Sequence, residues 1–210
     1  IASVATELGV RANVALRGVP GVQGGSTAGI ETGSERSKFG MTEPEIEQCL
    51  VLAENNREAI RVAGLHVHIG SQMTDMGLYA AAARYVAKRG GAIQARLPGD
   101  LRHLNIGGGF PKPYVKYNDQ SPEIGYFHTD VTVDDVAATV MPLLKDTLGT
   151  DLEILTEPGR SMISDTALCL ARVEGQKERE DTRWLYLDTG YSVIPESAQG
   201  WYFHMTSANR

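Results

Sequence analysis

The chain has 210 residues, 42% of them hydrophobic, and a formal net charge of −6. That size and composition support one packed domain, or one domain and part of a second. The acidic balance and the lack of a Lys/Arg block argue against nucleic acid or an anionic membrane as partner, and no apolar run approaches the ~18 residues of a membrane-spanning helix.

Ile1, Val4, Ala5 and Leu8 stand at helical spacing, and Gly9 closes that helix. Residues 10–17 predict a strand, and residues 18–35, rich in Gly, Ser and Thr, predict a loop. The S-K-F-G run at 37–40 leads to Thr42, an N-cap with Glu45 three residues on as a capping box. Pro44 falls in the first turn, where its missing N–H is harmless. Ile46, Leu50 and Ala53 give this helix an apolar face, with Cys49 in the core beside it. Cys49 and Cys169 have no motif spacing and no signal peptide is recognisable, which together fit a reducing cytoplasm.

Residues 63–69, A-G-L-H-V-H-I, predict the second strand, followed by Gly70-Ser71-Gln72. An alanine-rich helix over 78–89 is expected to close at Gly90-Gly91. Residues 101–106 predict the third strand and run into Gly107-Gly108-Gly109. The polar and aromatic loop over 112–129 is of a length that is uncommon unless functional. The next helix spans 133–148, with Asp134 and Asp135 at its positive end and Gly149 as its stop. Residues 152–156 predict the fourth strand, leading to Glu157-Pro158-Gly159-Arg160. The rhythm then changes. Residues 166–173 and 183–187 alternate like antiparallel strands around a charged turn at 174–182, as at the opening of a β domain.

Four strand–helix units mean a parallel α/β sheet. A doubly wound sheet and a (β/α)8 barrel both fit. The barrel better explains why nearly every strand ends in polar residues, because barrel active sites are built there. A complete barrel takes about 250 residues. The expectation is therefore half a barrel over 1–165 and the start of a β domain over 166–210, in a chain that opens on Ile1 and is a piece of something longer.

The strand ends carry the chemistry. His66 and His68, two apart on a strand, share a face with Val67 opposite. They are either structural or functional. As metal ligands they lack a third partner at matching spacing, and zinc takes three or four. Gly70-Ser71 is either an ordinary turn or a hydroxyl and amides for a phosphate oxygen. Gly107-Gly108-Gly109 is either a flexible turn or an anion cradle, since amides beside glycines can approach closely and adopt positive φ. Glu157 and Arg160 are either a surface ion pair, worth about 0–1 kcal/mol, or two charges facing different parts of one ligand, the Arg fork suiting phosphate. Taken as functional, the set describes a ligand with a phosphate, a flat surface against His68 and a basic nitrogen toward Glu157.

Four motifs in order, S-K-F-G (37–40), G-L-H-V-H-I-G-S-Q (64–72), N-I-G-G-G-F-P (105–111) and E-P-G-R (157–160), make the chain resemble the fold-type III pyridoxal-phosphate-dependent decarboxylases. This is the diaminopimelate, ornithine and arginine decarboxylase group, and the resemblance runs from Ile1 to about Gly190. It implies an alanine-racemase-like (β/α)8 TIM-type barrel, here only its later half, followed by a β domain. It further implies a homodimer with active sites at the interface, an amino-acid substrate, and pyridoxal 5′-phosphate as cofactor. By motif, His68 would stack on the pyridine ring. Ser71, Gly107, Gly108 and Gly109 would hold the phosphate, with Arg160 at the same site. Glu157 would pair with the ring nitrogen and favour the pyridinium that serves as electron sink. His68 and Glu157 are the catalytic candidates.

Two departures bear on function. The family's cofactor-bearing lysine belongs to the first barrel strand, and none of the chain's lysines stands in that motif. Where diaminopimelate enzymes are expected to carry an arginine for the substrate's distal carboxylate, this chain has Pro195-Glu196-Ser197-Ala198-Gln199. A carboxylate at Glu196 would attract a distal amine, so the expected substrate is a basic amino acid such as ornithine or lysine, with diaminopimelate as the alternative. A non-catalytic relative that binds a partner protein is the competing class. It would tend to lose the cofactor contacts that are present here.

Overall fold

A computed structural model describes residues 1–22, 33, 37–113, 129–149, 151–164, 166–194 and 205–208. The elements are α1 (Ala2–Glu7), β1 (Ala12–Arg17), α2 (Glu43–Asn55), β2 (Ile60–His66), α3 (Met76–Arg96), β3 (His103–Asn105), α4 (Val133–Leu148), β4 (Glu153–Leu155), α5 (Arg160–Ile163), β5 (Val173–Arg179) and β6 (Thr182–Leu187). They divide into two compact units, Ile1–Lys112 with Thr129–Met162, and Pro113–His128 with Ile163–Arg210.

In the first unit β1 to β4 form one parallel sheet in the order β1-β2-β3-β4. Each strand lies beside its predecessor, so the sheet grows in one direction. A doubly wound sheet reverses direction at a switch point, whereas a barrel does not. The strand order therefore decides between the two architectures the sequence leaves open. The four strands are half of the eight that close a barrel.

The two faces of this sheet differ sharply. Leu16, Leu65 and Leu104 stand level in the register, and each is buried in one core with Ile46 and Leu50 of α2, Val86 of α3 and Leu144 of α4. One residue further along, Arg17, His66 and Asn105 stand level on the opposite face. The pairing of β1 with β2 steps by one between Val14 and Ala15, leaving Ala63 without a partner. That step aligns Leu16 with Leu65 and Arg17 with His66.

Local signals explain the helices. Gly9 and Val10 donate their N–H groups to Thr6 O and Ala5 O at 3.1 and 3.0 Å, a Schellman closure of α1. The Glu45 carboxylate accepts from both the N–H and the hydroxyl of Thr42 at the start of α2. Thr132 and Asp135 cap α4 reciprocally.

Expected boundaries move most in β2 and α3. β2 begins at Ile60 rather than residue 63 and ends at His66 rather than residue 69. Ile60, Arg61 and Val62 are drawn into the sheet by pairing with Ala12, Asn13 and Val14, and the charge of Arg61 hides this in the sequence. α3 runs through Gly90 and Gly91 to Arg96 instead of closing there. Gly90 is an approach point: a Cβ on it would stand 3.1 Å from Leu148 Cδ1 and 3.4 Å from Leu104 Cδ2. Beyond it Arg96 pairs with Glu54 and Glu47 of α2, so tertiary contacts outweigh the roughly 1 kcal/mol that a helical glycine costs relative to alanine.

In the second unit β5 and β6 form an antiparallel hairpin turning at Glu180-Asp181. The strand expected over 166–173 is absent there. β5 instead occupies Val173–Arg179, most of the stretch read as a charged turn. Its register is set by Trp184, Leu185 and Tyr186, which pair with Lys177, Gln176 and Gly175. With both faces of β5 exposed among the described residues, its charged side chains cost nothing to solvate. The loop expected over 112–129 lies, from 114 to 128, outside the described residues.

The opposite end of the barrel sheet is tied by one acid. Arg11 Nη2 lies 2.8 and 2.9 Å from the two oxygens of the buried Asp100, and Arg61 Nε lies 3.9 Å from one of them. Replacing Asp100 with Ala should lower the unfolding free energy in urea by about 2–4 kcal/mol, because two guanidinium groups lose their counter-charge. The lower part of that range applies if Arg11, 31% exposed, turns to water.

Candidate functional site

β2, β3 and β4 end level with one another, at His66, Asn105 and Leu155. The chain stays stitched beyond those ends. Val67 donates to Asn105 O at 3.0 Å, Ile106 to Leu155 O at 3.1 Å, Glu157 to Gly107 O at 2.8 Å and Met73 to Gly109 O at 2.9 Å. The turn holding Gly107, Gly108 and Gly109 thus lies between the tip of β2 on one side and the tip of β4 on the other.

Close approach explains why these positions are glycine. A Cβ on Gly107 would stand 2.4 Å from Val67 O, one on Gly108 2.1 Å from Glu157 O, and one on Gly109 2.3 Å from Gly70 O. Gly107 and Gly109 also have φ of +71° and +80°. The triplet lets three backbones meet, and in doing so it brings His68 and Glu157 to either side of itself.

The side chains are then wired through the turn. Gly108 N–H donates to His68 Nδ1 at 3.1 Å. Gly107 N–H donates to Asn105 Oδ1 at 2.8 Å, and Asn105 Nδ2 donates to Glu157 Oε1 at 2.8 Å. His66 Nε2 lies 3.5 Å from that same carboxylate oxygen. Arg160, which opens α5, reaches Ser71 Oγ with its Nε at 3.4 Å. Gln72, fully buried, braces the turn by exchanging two hydrogen bonds with the Lys112 backbone. Each candidate from His68 to Arg160 therefore belongs to one cluster at the strand tips, whereas Glu196 lies outside the described residues.

Both histidines are held below their ordinary pKa. For His68 the main cause is burial, reinforced by Arg17 and opposed by Glu157. For His66 it is again burial, opposed by Glu157 and reinforced by Arg17. Hydrogen bonding agrees for His68, since a nitrogen that accepts from Gly108 N–H must keep its lone pair. Arg17 sits with its guanidinium 5.1 Å from the centre of the Phe39 ring, and Lys38 Nζ is 5.0 Å from the same ring. This is where the S-K-F-G motif meets the site.

Sequence reasoning passes over Arg17 and gives Asn105 no role. The available signal is positional: each is the last residue of its strand, with the same facing as His66. Among the described residues no group of three or more His, Cys, Asp or Glu side chains could hold a metal ion.

The family described as pyridoxal-dependent decarboxylase, pyridoxal binding domain, matches residues 1–164. A diaminopimelate decarboxylase from Methanocaldococcus jannaschii is 31% identical over 206 residues, covering 97% of this chain and 45% of that protein. One from Bacillus methanolicus is 32% identical over 197 residues, covering 91% and 44%. The crystal structure of diaminopimelate decarboxylase from Helicobacter pylori complexed with L-lysine superposes with a TM-score of 0.81 at 27% identity, covering 96% of this chain and 47% of that one. The chain thus spans under half the length of the relatives it matches.

Two outcomes test this geometry. Gly108→Ala should lower the unfolding free energy by about 2–3 kcal/mol, because a methyl group meets a backbone carbonyl that cannot turn aside. The pH dependence of melting tests His68. Its folded pKa lies below the unfolded value of 6.5, so the folded state binds fewer protons. The stability that the neutral ring supports is complete above that unfolded value and is lost as pH falls through the folded one. His68→Gln, which keeps an acceptor for Gly108 and does not titrate, should flatten the fall in Tm below about pH 6.5 relative to wild type.

Proposed function

The chain belongs to the pyridoxal-dependent decarboxylase family, matching its pyridoxal binding domain over residues 1–164, and from that premise we propose that the whole protein removes the α-carboxylate of an amino acid as CO2 with pyridoxal 5′-phosphate as cofactor. The observation that carries the reading is the convergence of Glu157, His68, Ser71 and Arg160 on one glycine turn, from separate strand tips.

The residues fit the group. A phosphate needs donors at its oxygens, and Ser71 with Arg160 supplies a hydroxyl and a guanidinium at one point. Gly107 and Gly108 already direct their N–H groups to Asn105 and His68. Their part is to bring the strand tips together, and Gly109 is the triplet member assigned to the phosphate. The ring needs a flat neutral neighbour, and His68 is held neutral. Its nitrogen needs an anionic partner, and Glu157 would supply the carboxylate from the β4 side of the turn. When bound, the cofactor supplies an electron sink for the pair left behind as CO2 departs. Glu157 supports that chemistry by holding a proton on the ring nitrogen. His68 limits the ring's movement, and Ser71 with Arg160 anchors the far end.

The substrate we assign is a diamino acid. The relatives named above as diaminopimelate decarboxylases support diaminopimelate itself. Glu196, a carboxylate where a guanidinium would meet a distal carboxylate, supports ornithine or lysine instead. A homodimer in the cytoplasm and a domain boundary near residue 165 complete the proposal. No helix among the described residues is long and apolar enough to cross a membrane.

CO2 release by the full-length protein, with diaminopimelate, lysine and ornithine compared, is the test. One of the three should be turned over, and Glu157→Gln should lower kcat by about 10²-fold or more, the scale of losing one preorganised electrostatic group. Cofactor binding with no turnover of any diamino acid would favour the non-catalytic relative.

A further inference from the structure

We infer that Asn105 is a positioning residue, whose carboxamide holds the Glu157 carboxylate against the glycine turn and so sets how strongly the site favours a protonated ring nitrogen. The inference rests on the reading above, in which Glu157 faces that nitrogen.

Three hydrogen bonds make the case. Asn105 Oδ1 accepts from Gly107 N–H, Asn105 Nδ2 donates to Glu157 Oε1, and Glu157 N–H donates to Gly107 O, each at 2.8 Å. Together they close a ring of contacts between the tips of β3 and β4. The orientation of the amide is settled by chemistry. A backbone N–H can only donate, so the amide oxygen must face Gly107, which leaves the NH2 group for Glu157.

Glu157 needs such a tether. Its side chain is 48% exposed and carries two more rotatable bonds than the backbone can fix. His66 Nε2 stands 3.5 Å from the same oxygen, beyond good hydrogen-bond length. A carboxylate held in a fixed place favours a proton on a nitrogen facing it. Asn105 would thus act on the cofactor only through Glu157.

Binding of two ligands to the full-length apoprotein separates this role from a structural one. The probes are pyridoxal 5′-phosphate and its deaza analogue, in which a CH group replaces the ring nitrogen, titrated by fluorescence alongside thermal melting. Wild type should prefer the nitrogen-containing ligand. Asn105→Ala should weaken binding of pyridoxal 5′-phosphate about tenfold while leaving the analogue within about twofold, because only the first feels Glu157. Asn105→Ser keeps an oxygen for Gly107 and has no NH2 group for Glu157, and it adds no charge beside the ring nitrogen. Its preference should therefore fall toward that of the alanine variant. It also answers the question if the alanine variant does not fold. Equal weakening toward both ligands, or an unchanged preference in both variants, overturns the inference. A wild-type protein that binds neither ligand overturns the cofactor reading instead.

Discussion

At Gly108 the backbone passes so close to the Glu157 carbonyl that a methyl group would stand 2.1 Å from it. The same holds at Gly107 against Val67 and at Gly109 against Gly70. These approaches tie three strand tips into one surface. Parallel strands would otherwise diverge beyond their last ladder bond, since sheets twist. With the turn inserted between them, His68 and Glu157 are held to opposite sides of a shared backbone, and neither depends on its own rotamer preferences alone. Fold and candidate site meet here, because the residues that let the chains touch are also those that place His68 and Glu157.

The two-residue period of the strands supplies the other half of the arrangement. Once Leu16, Leu65 and Leu104 are committed to the helices, the next residue of each strand must face the other way. A row of Arg17, His66 and Asn105 follows with no further instruction. The unpaired Ala63 keeps β1 and β2 in phase at the end that matters. A shift of one residue would bury Arg17 under α2 and lift Leu16 into the site.

Much of this was legible in the sequence, for identifiable reasons. The helix over 43–55 announces itself through Thr42 with Glu45, and that over 133–148 through Asp134 and Asp135 at its start and Gly149 at its end, because such signals are local chemistry. Glu157 and Arg160 stand out because opposite charges around Pro-Gly are unusual at a strand end. What stayed hidden was tertiary. Gly90 is a stop signal in isolation and a contact point once α4 lies against it. Arg61 is an unpromising strand residue until Asp100 stands nearby. The charges of β5 read as a turn because their partners across the hairpin cannot be seen from one strand. Asn105 was in plain view within its motif, but its role depends on what lies across the sheet, and no spacing encodes that.

The charges at the site run in a definite order. Arg17 ends β1, His66 ends β2, Asn105 ends β3, and Glu157 follows β4. Cation and anion therefore flank two neutral groups rather than pair with each other. The histidine between them feels both, and burial with Arg17 prevails over Glu157, so it stays neutral. The Phe39 ring, its centre 5.1 Å from the guanidinium, helps keep Arg17 at its end of the row. Had an acid taken that place, Arg17 would be screened and the histidines would protonate more readily. A neutral His68 is what a flat cationic ring would require of its neighbour, since two cations face to face repel. The S-K-F-G motif, remote in sequence, thereby helps set the protonation state of a residue it does not touch.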